Sequence, residues 1–211
     1  MKQSDRSTSE RVYQAVKQQL LSGAFHPGDR IEAGQLAQLH LASVTPVRAA
    51  LYRLVGEGLV EARASEGFRA PHITEHGLRD LYAWNGQVLL LALQLAAPGA
   101  LAPGFEPLEA SPHSADASGA FETTERLFNC IAEQSASAQC KAAIRSLNDR
   151  LHLVRRLEGD LFGDTGEELD SLVSSFVEGR EAEIRRGISA YHRRRVGAAA
   201  DFVGLIYKLA G

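Results

Sequence analysis

The sequence predicts a mainly α protein in two parts: three short helices with a β-hairpin in the first third, then helices alone. Three observations predict it. Apolar residues recur at helical spacing up to residue 57. Two short β-type runs separated by a turn signal occupy residues 58–71. Beyond residue 75 no strand pattern appears. The 211 residues are 45% hydrophobic and 23% charged, an ordinary globular composition that suffices for one large domain or two modest ones.

Residues 10–21 read as the first helix, because Val12, Val16, Leu20 and Leu21 share a face and Ser7, Thr8 or Ser9 can cap it. Gly23 and Pro27-Gly28 end it with turn chemistry. Residues 33–40 form a second helix, residues 41–43 break it, and residues 44–57 form a third. Ser43 is available as its N-cap, and Pro46 is tolerated in its first turn, where a missing N–H costs nothing. Leu51, Leu54 and Val55 supply the buried stripe. Residues 58–63 make a strand, 64–67 a turn and 68–71 the returning strand. This order is that of a winged helix-turn-helix, whose second helix enters a DNA major groove. The expected boundaries are 1–72 for this domain and 73–211 for an all-helical bundle. In the bundle Thr74 caps a helix running to about residue 97. A loop at 98–104 and a polar linker at 111–119 precede helices at 120–134, 136–162, 167–178 and 180–209.

The net charge of -3 argues against a protein that coats nucleic acid through bulk positive charge, but not against a DNA reader with its basic residues on one small face. The first 75 residues hold nine Lys/Arg and eight Asp/Glu, a balance of +1, and the remainder carries -4. Cys130 and Cys140 lack CxxC spacing, which points to a reducing compartment. Both read as small buried hydrophobes, with a redox sensor as the alternative. The amino terminus is polar, and the most apolar stretch, residues 88–97, falls short of the ~20 residues a bilayer requires. The expectation is a soluble cytoplasmic protein without membrane contact. No GxSxG, P-loop, HExxH or Rossmann glycine run is present, so the chain is not expected to be an enzyme.

Several runs are specific enough to name a family. They are Val12-Tyr13-Gln14-Ala15-Val16, Pro27-Gly28-Asp29-Arg30-Ile31, Thr45-Pro46-Val47-Arg48, Arg53-Leu54 and Glu57-Gly58-Leu59-Val60, followed by Gly67. Together they resemble the GntR family of bacterial transcription regulators. The helical remainder, with Asp80-Leu81-Tyr82 in its first helix, is similar to that family's FadR-type ligand-sensing domain, the FCD class. The resemblance implies a homodimer in which each winged domain reads half of a palindromic double-stranded DNA operator. It also implies a small-molecule effector in the helical domain that switches DNA affinity, most often to relieve repression. A domain carrying +1 binds weakly alone, and pairing two on a symmetric site adds their contacts.

On this resemblance Arg48 lies in the first turns of the recognition helix, where its guanidinium can fork onto guanine. Thr45 contacts a phosphate or a base, while Arg53, with Arg11 or Lys17, contacts phosphates. Arg63 and Arg69 flank the wing, and Gly67 lets its backbone approach the minor groove. Two departures stand out. The family often carries Gly at the helix turn and Arg just after the Ser, and this chain has Leu41 and Val44. Leu41 predicts a turn that avoids a positive φ or takes a different local path. Val44 removes a base-reading donor and predicts an operator unlike the family's commonest one. Glu66 in the wing repels phosphate unless turned away.

Many FCD-type domains hold a divalent metal with one Asp and three His. The matching positions here are Thr124, Phe128, Leu169 and Tyr191, which do not make a ligand set. The effector-anchoring Arg of the domain's first helix corresponds to Asn85. The resemblance therefore implies neither metal nor other cofactor. His192 and the run Arg193-Arg194-Arg195 read as exposed helix surface. What remains is a drier cavity walled by Trp84, Val88, Phe128, Leu169 and Tyr191, with neutral hydrogen bonds from Asn85 and Thr124. Such walls suit an apolar or aromatic effector. Two possibilities stay open: a pocket for that molecule, or a bundle core that these side chains fill. The alternative function is an interaction or assembly module whose winged domain no longer reads specific DNA, resting on Leu41 and Val44.

Overall fold

Helix α1 (Lys2–Leu21) opens the chain in the computed structural model, which describes residues 2–64, 66–96 and 117–210. It starts well before residue 10, so the expected capping residues 7–9 lie inside it. Pro27-Gly28 then turns the chain into β1 (Arg30–Ile31), a strand too short to show a period in the sequence. Helices α2 (Ala33–Leu39) and α3 (Val44–Gly56) follow, then β2 (Glu61–Arg63) and β3 (Gly67–Arg69). The expected hairpin is thus a three-stranded antiparallel sheet of order β1-β3-β2, with Ile31 and Ala62 both opposite Phe68. The start of the expected strand, residues 58–60, is instead the exit of α3: the N–H groups of Gly58 and Leu59 donate to the carbonyls of Val55 and Leu54.

Val12, Val16 and Leu20 of α1 meet Leu36 of α2 and Val47, Leu51 and Leu54 of α3, with Ile31 and Phe68 beneath the sheet. Each such side chain contributes about 1.5–3 kcal/mol on burial, which holds the helices at fixed angles. Leu41 corrects the expectation for the turn between α2 and α3: it takes φ +49° and is 91% exposed. The turn keeps the left-handed geometry that a glycine there would adopt, with a branched side chain in its place.

A second unit runs from Thr74 to Lys208. The Thr74 hydroxyl accepts from the Gly77 N–H at 3.1 Å and starts α4 (Glu75–Gln94). Then come α5 (Ala117–Gln134), α6 (Ala138–Arg155), α7 (Glu158–Leu161), α8 (Thr165–Val177), α9 (Glu181–Gly197) and α10 (Ala199–Ala210). The stretches 136–162 and 180–209, expected as single helices, each break once, at 156–157 and at Ala198. An isolated antiparallel bridge joins Ala96 to Ser135, a β contact in a region read as free of strands. The loop at 98–104 and the linker up to residue 116 lie outside the described residues, and residues 117–119 belong to α5. α4 packs on α9, α6 and α5. Gly86 permits the approach to α9, since a Cβ there would stand 2.9 Å from His192 Cγ. Among the described residues no helix is long and apolar enough to cross a membrane.

Candidate nucleic-acid interface and buried polar centre

Helix α3 buries Val47, Ala50, Leu51 and Leu54, and the same 3.6-residue period turns Val44, Thr45, Arg48 and Tyr52 outward. Arg48 rests against two rings, 5.9 Å from the Tyr52 centroid and 5.7 Å from that of Phe68, and its Nη2 donates to the Tyr52 hydroxyl at 3.3 Å. Tyr52 and Phe68 meet edge to face at 5.1 Å, which ties the recognition helix to the wing. Among the described residues no carboxylate pairs with Arg48. Its guanidinium is held in place by aromatic faces and keeps its donors for an external acceptor. Tyr52 escaped the sequence analysis; an aromatic four residues after Arg48 on the unburied face is the signal for it.

The other expected DNA contacts stand differently. Arg53 is exposed but engaged: Nη1 pairs with Glu10 at 2.8 Å, Nε with Glu57 at 3.3 Å, and the guanidinium lies 3.5 Å over the Tyr13 ring. It ties α3 to α1. Lys17 also pairs with Glu57, at 3.3 Å, and Arg11 donates to the His40 carbonyl at 3.1 Å. Arg63 pairs with Glu61 at 3.3 Å while remaining exposed. Arg69 donates to the Gly28 carbonyl at 3.0 Å and pairs with Glu66 at 3.3 Å, which occupies the carboxylate of the wing turn. Gly67 has φ +82° with open space where a Cβ would sit, so the wing turn needs glycine for its backbone conformation. Thr45 is exposed in the first turn of α3.

The helical unit holds a polar centre where a dry cavity was expected. The Glu158 carboxylate accepts from Tyr82 at 3.0 Å, from Tyr191 at 2.9 Å and from Arg195 Nη2 at 2.8 Å. Arg195 also pairs with Glu168 at 2.6 Å. Arg155 donates to Asn148 at 2.8 Å and to the Asn85 carbonyl oxygen at 3.1 Å, and lies 3.7 Å from Glu125. Both guanidiniums are 1% exposed. Burial works against the Arg195 charge, but Tyr191 and Glu158 more than offset it and raise its pKa. Burial and the Glu158 charge push the Tyr82 and Tyr191 hydroxyls up, so both stay protonated and donate.

His192 is corrected from exposed surface to 4% exposed. Its Nδ1 lies 2.7 Å from the Ile188 carbonyl and its Nε2 2.8 Å from the Asn85 carbonyl oxygen. Two acceptors would suit an imidazolium, and the Ile188 carbonyl favours one. Burial, reinforced by the charges of Arg155 and Arg195, outweighs this and pushes His192 down to about 3. The ring is neutral and donates once, to Ile188. Asn85 then satisfies Nε2 only by presenting its NH2, a group otherwise buried without a partner, and that turn withdraws its oxygen from Arg155. Asn85 serves one neighbour or the other.

Of the expected effector residues, Thr124, Leu169 and Tyr191 line one cleft together with Phe121, Arg155, Glu158, Glu168 and Arg195. Its interior space is about 10 Å³, room for about one water. The Thr124 hydroxyl is already committed to the Ala120 carbonyl at 2.9 Å. Phe128 is fully buried, 5.3 Å from the Tyr191 ring and 5.5 Å from that of His192, and Val88 is core. Trp84 is 56% exposed on α4 and does not line this cleft. Arg155, Arg195 and Glu158 were missed, yet Ile184, Ile188, Tyr191 and Arg195 form a single buried helical stripe. A charge at a stripe position was the available signal. Among the described residues no group of three His, Cys, Asp or Glu is placed to hold a metal.

Residues 8–69 match the family model described as bacterial regulatory proteins, gntR family. The Nta operon transcriptional regulator of Aminobacter aminovorans is 29% identical over 186 residues, covering 85% of this chain and 88% of that protein. Among solved structures, McbR/YncC of Escherichia coli superposes with a TM-score of 0.63 at 20% identity, covering 97% of this chain and 99% of that one. A transcriptional regulator GntR from Rhodococcus sp. RHA1 gives 0.68 at 17% identity, covering 94% and 98%. These two likenesses show the fold: a winged helix-turn-helix followed by a helical domain. Over residues 8–69, with the exposed arginine-bearing face of α3, the chain carries a winged helix-turn-helix similar to that of the gntR family of bacterial regulatory proteins.

Proposed function

We propose that the chain acts in the cytoplasm as a homodimeric repressor, reading a palindromic operator with one α3 per half-site and releasing it when a small molecule enters the helical unit. The observation that carries this reading is Arg48: exposed on the groove-facing side of α3, braced by Tyr52 and Phe68, and paired to no carboxylate among the described residues. Its fork fits a guanine edge, and Thr45 beside it fits a phosphate. Dimerisation is supported by an exposed stripe along α4 and its C-cap, where Trp84, Leu91 and Leu95 stand 56%, 43% and 42% exposed. Under this proposal the effector opens the cleft, which otherwise has room for about one water, and meets Tyr191, Arg155, Arg195 and Glu158 there. Those walls favour a molecule with hydrogen-bonding or charged groups over a bare hydrocarbon. Binding shifts the population toward one separation of the two recognition helices.

Selection from a random duplex library, followed by anisotropy titration on the recovered site, tests the reading. The protein is expected to recover a palindrome, to bind it as two chains, and to lose affinity as salt rises. Each bidentate guanine contact contributes about 1–3 kcal/mol, so Arg48→Ala, acting in both half-sites, is expected to weaken binding at least about thirtyfold. Arg53→Ala is expected to weaken binding far less. Recovery of no palindrome, or an unaltered Arg48→Ala complex, overturns the proposal. The assembly-module alternative has no comparable support, since Leu41 and Val44 leave the α3 face open.

A further inference from the structure

We propose that Val44 is a base-reading residue, its isopropyl group packing on the C5-methyl of a thymine close to the guanine taken by Arg48. The inference rests on the reading above, that α3 lies in a major groove. Val44 and Val47 are three residues apart on the same helix, yet Val47 is fully buried in the core while Val44 is 45% exposed. Packing therefore accounts for one valine and not the other. Val44 is the first residue of α3 and shares a helix row with Arg48 and Tyr52 at steps of four. That row, an isopropyl group, a guanidinium and a phenol, lies on the exposed face of α3 beside Thr45. At the first helical position, where base edges come within reach, an isopropyl group can neither donate nor accept a hydrogen bond. The apolar feature of a major groove is the thymine methyl, so that is the partner a valine recognises.

The helix also sets a spacing. Four residues advance ~6 Å along α3, and base pairs repeat every ~3.4 Å, so the thymine falls about two base-pair steps from the guanine. Thymine and guanine at that spacing in each half-site are what this domain should select.

Deoxyuridine lacks only the C5-methyl and isolates the contact. In the selected operator each thymine is replaced in turn by deoxyuridine, symmetrically in both half-sites, and affinity is measured for the wild-type protein and for Val44→Ser. One replacement is expected to weaken the wild-type complex by about fourfold per half-site, the worth of one buried methyl. The same replacement should leave Val44→Ser unaffected, and that variant should lose the thymine preference while keeping the guanine preference that depends on Arg48. Circular dichroism of Val44→Ser should match the wild type, since the side chain leaves no core space behind. If a palindrome is selected and depends on Arg48, yet no deoxyuridine replacement matters, the Val44 assignment fails while the DNA-reading proposal stands. If no sequence is selected, both fail.

Discussion

Leu41 adopts φ +49° with 91% of its surface in water. For a residue with a Cβ this backbone costs about 1–2 kcal/mol, and nothing is gained from burial in return. Leu41→Gly removes the clash but adds the greater unfolded freedom of glycine, about 0.5–1 kcal/mol. The net expectation is a gain of up to about 1 kcal/mol, seen as slower amide exchange in α2 and α3 of the intact chain. Leu41→Val, β-branched and stiffer, is expected to speed exchange; movement of both variants in one direction would refute the strain argument. The turn itself was legible in the sequence, because a short apolar helix stops before Ser43. Its φ was not, because leucine is a residue type that avoids the left-handed region. The fate of each arginine was legible only in part. Arg48 and Arg53 are both exposed and basic on one helix, and what separates them is Glu10, forty-three positions away in sequence.

At the scale of elements, helix periodicity placed most of the helices but neither β1 nor the breaks before α7 and α10, and burial at the stripe positions of α9 decided the chemistry. Arg193, Arg194 and Arg195 look alike in a row, but ~100° of rotation per residue sends the first to solvent and the last into the bundle. There Arg195 meets Glu158 on α7, thirty-seven positions earlier in the chain, a pairing that no local spacing in the sequence displays. Glu158→Leu leaves two tyrosine hydroxyls without their acceptor and Arg195 with Glu168 as its remaining carboxylate. Breaking a buried pair from one side costs about 3–5 kcal/mol, so the helical unit is expected to melt roughly 10 °C or more lower. Adding Arg195→Met to that variant should recover part of the loss, since it removes the stranded charge. An unchanged melting temperature in Glu158→Leu would show that the Glu158 network contributes nothing.

For the molecule as a whole, acid is expected to act on the helical unit, which buries His192 between Asn85 and Ile188. In the unfolded chain its pKa returns to ~6.5, while burial and the Arg155 and Arg195 charges hold it at about 3 in the fold. Below pH 6.5 the unfolded state therefore binds a proton that the native state refuses. This contribution to stability is complete above pH 6.5 and is lost as pH falls toward 3, at about 1.4 kcal/mol per pH unit. Between pH 7.5 and 5 the helical unit is expected to lose about 2 kcal/mol through this residue alone. The carboxylates add their own pH dependence, so the measurement is a difference: denaturant unfolding of wild type and His192→Gln at several pH values, followed at amides of α9. His192→Gln is expected to be weaker at neutral pH, having lost the ring stacked on Phe128, but flatter with acid. Parallel pH profiles would mean that the imidazole is charged in the native state, with both nitrogens donating. The neutral ring assigned here, and the choice it forces on Asn85 between His192 and Arg155, would then be wrong.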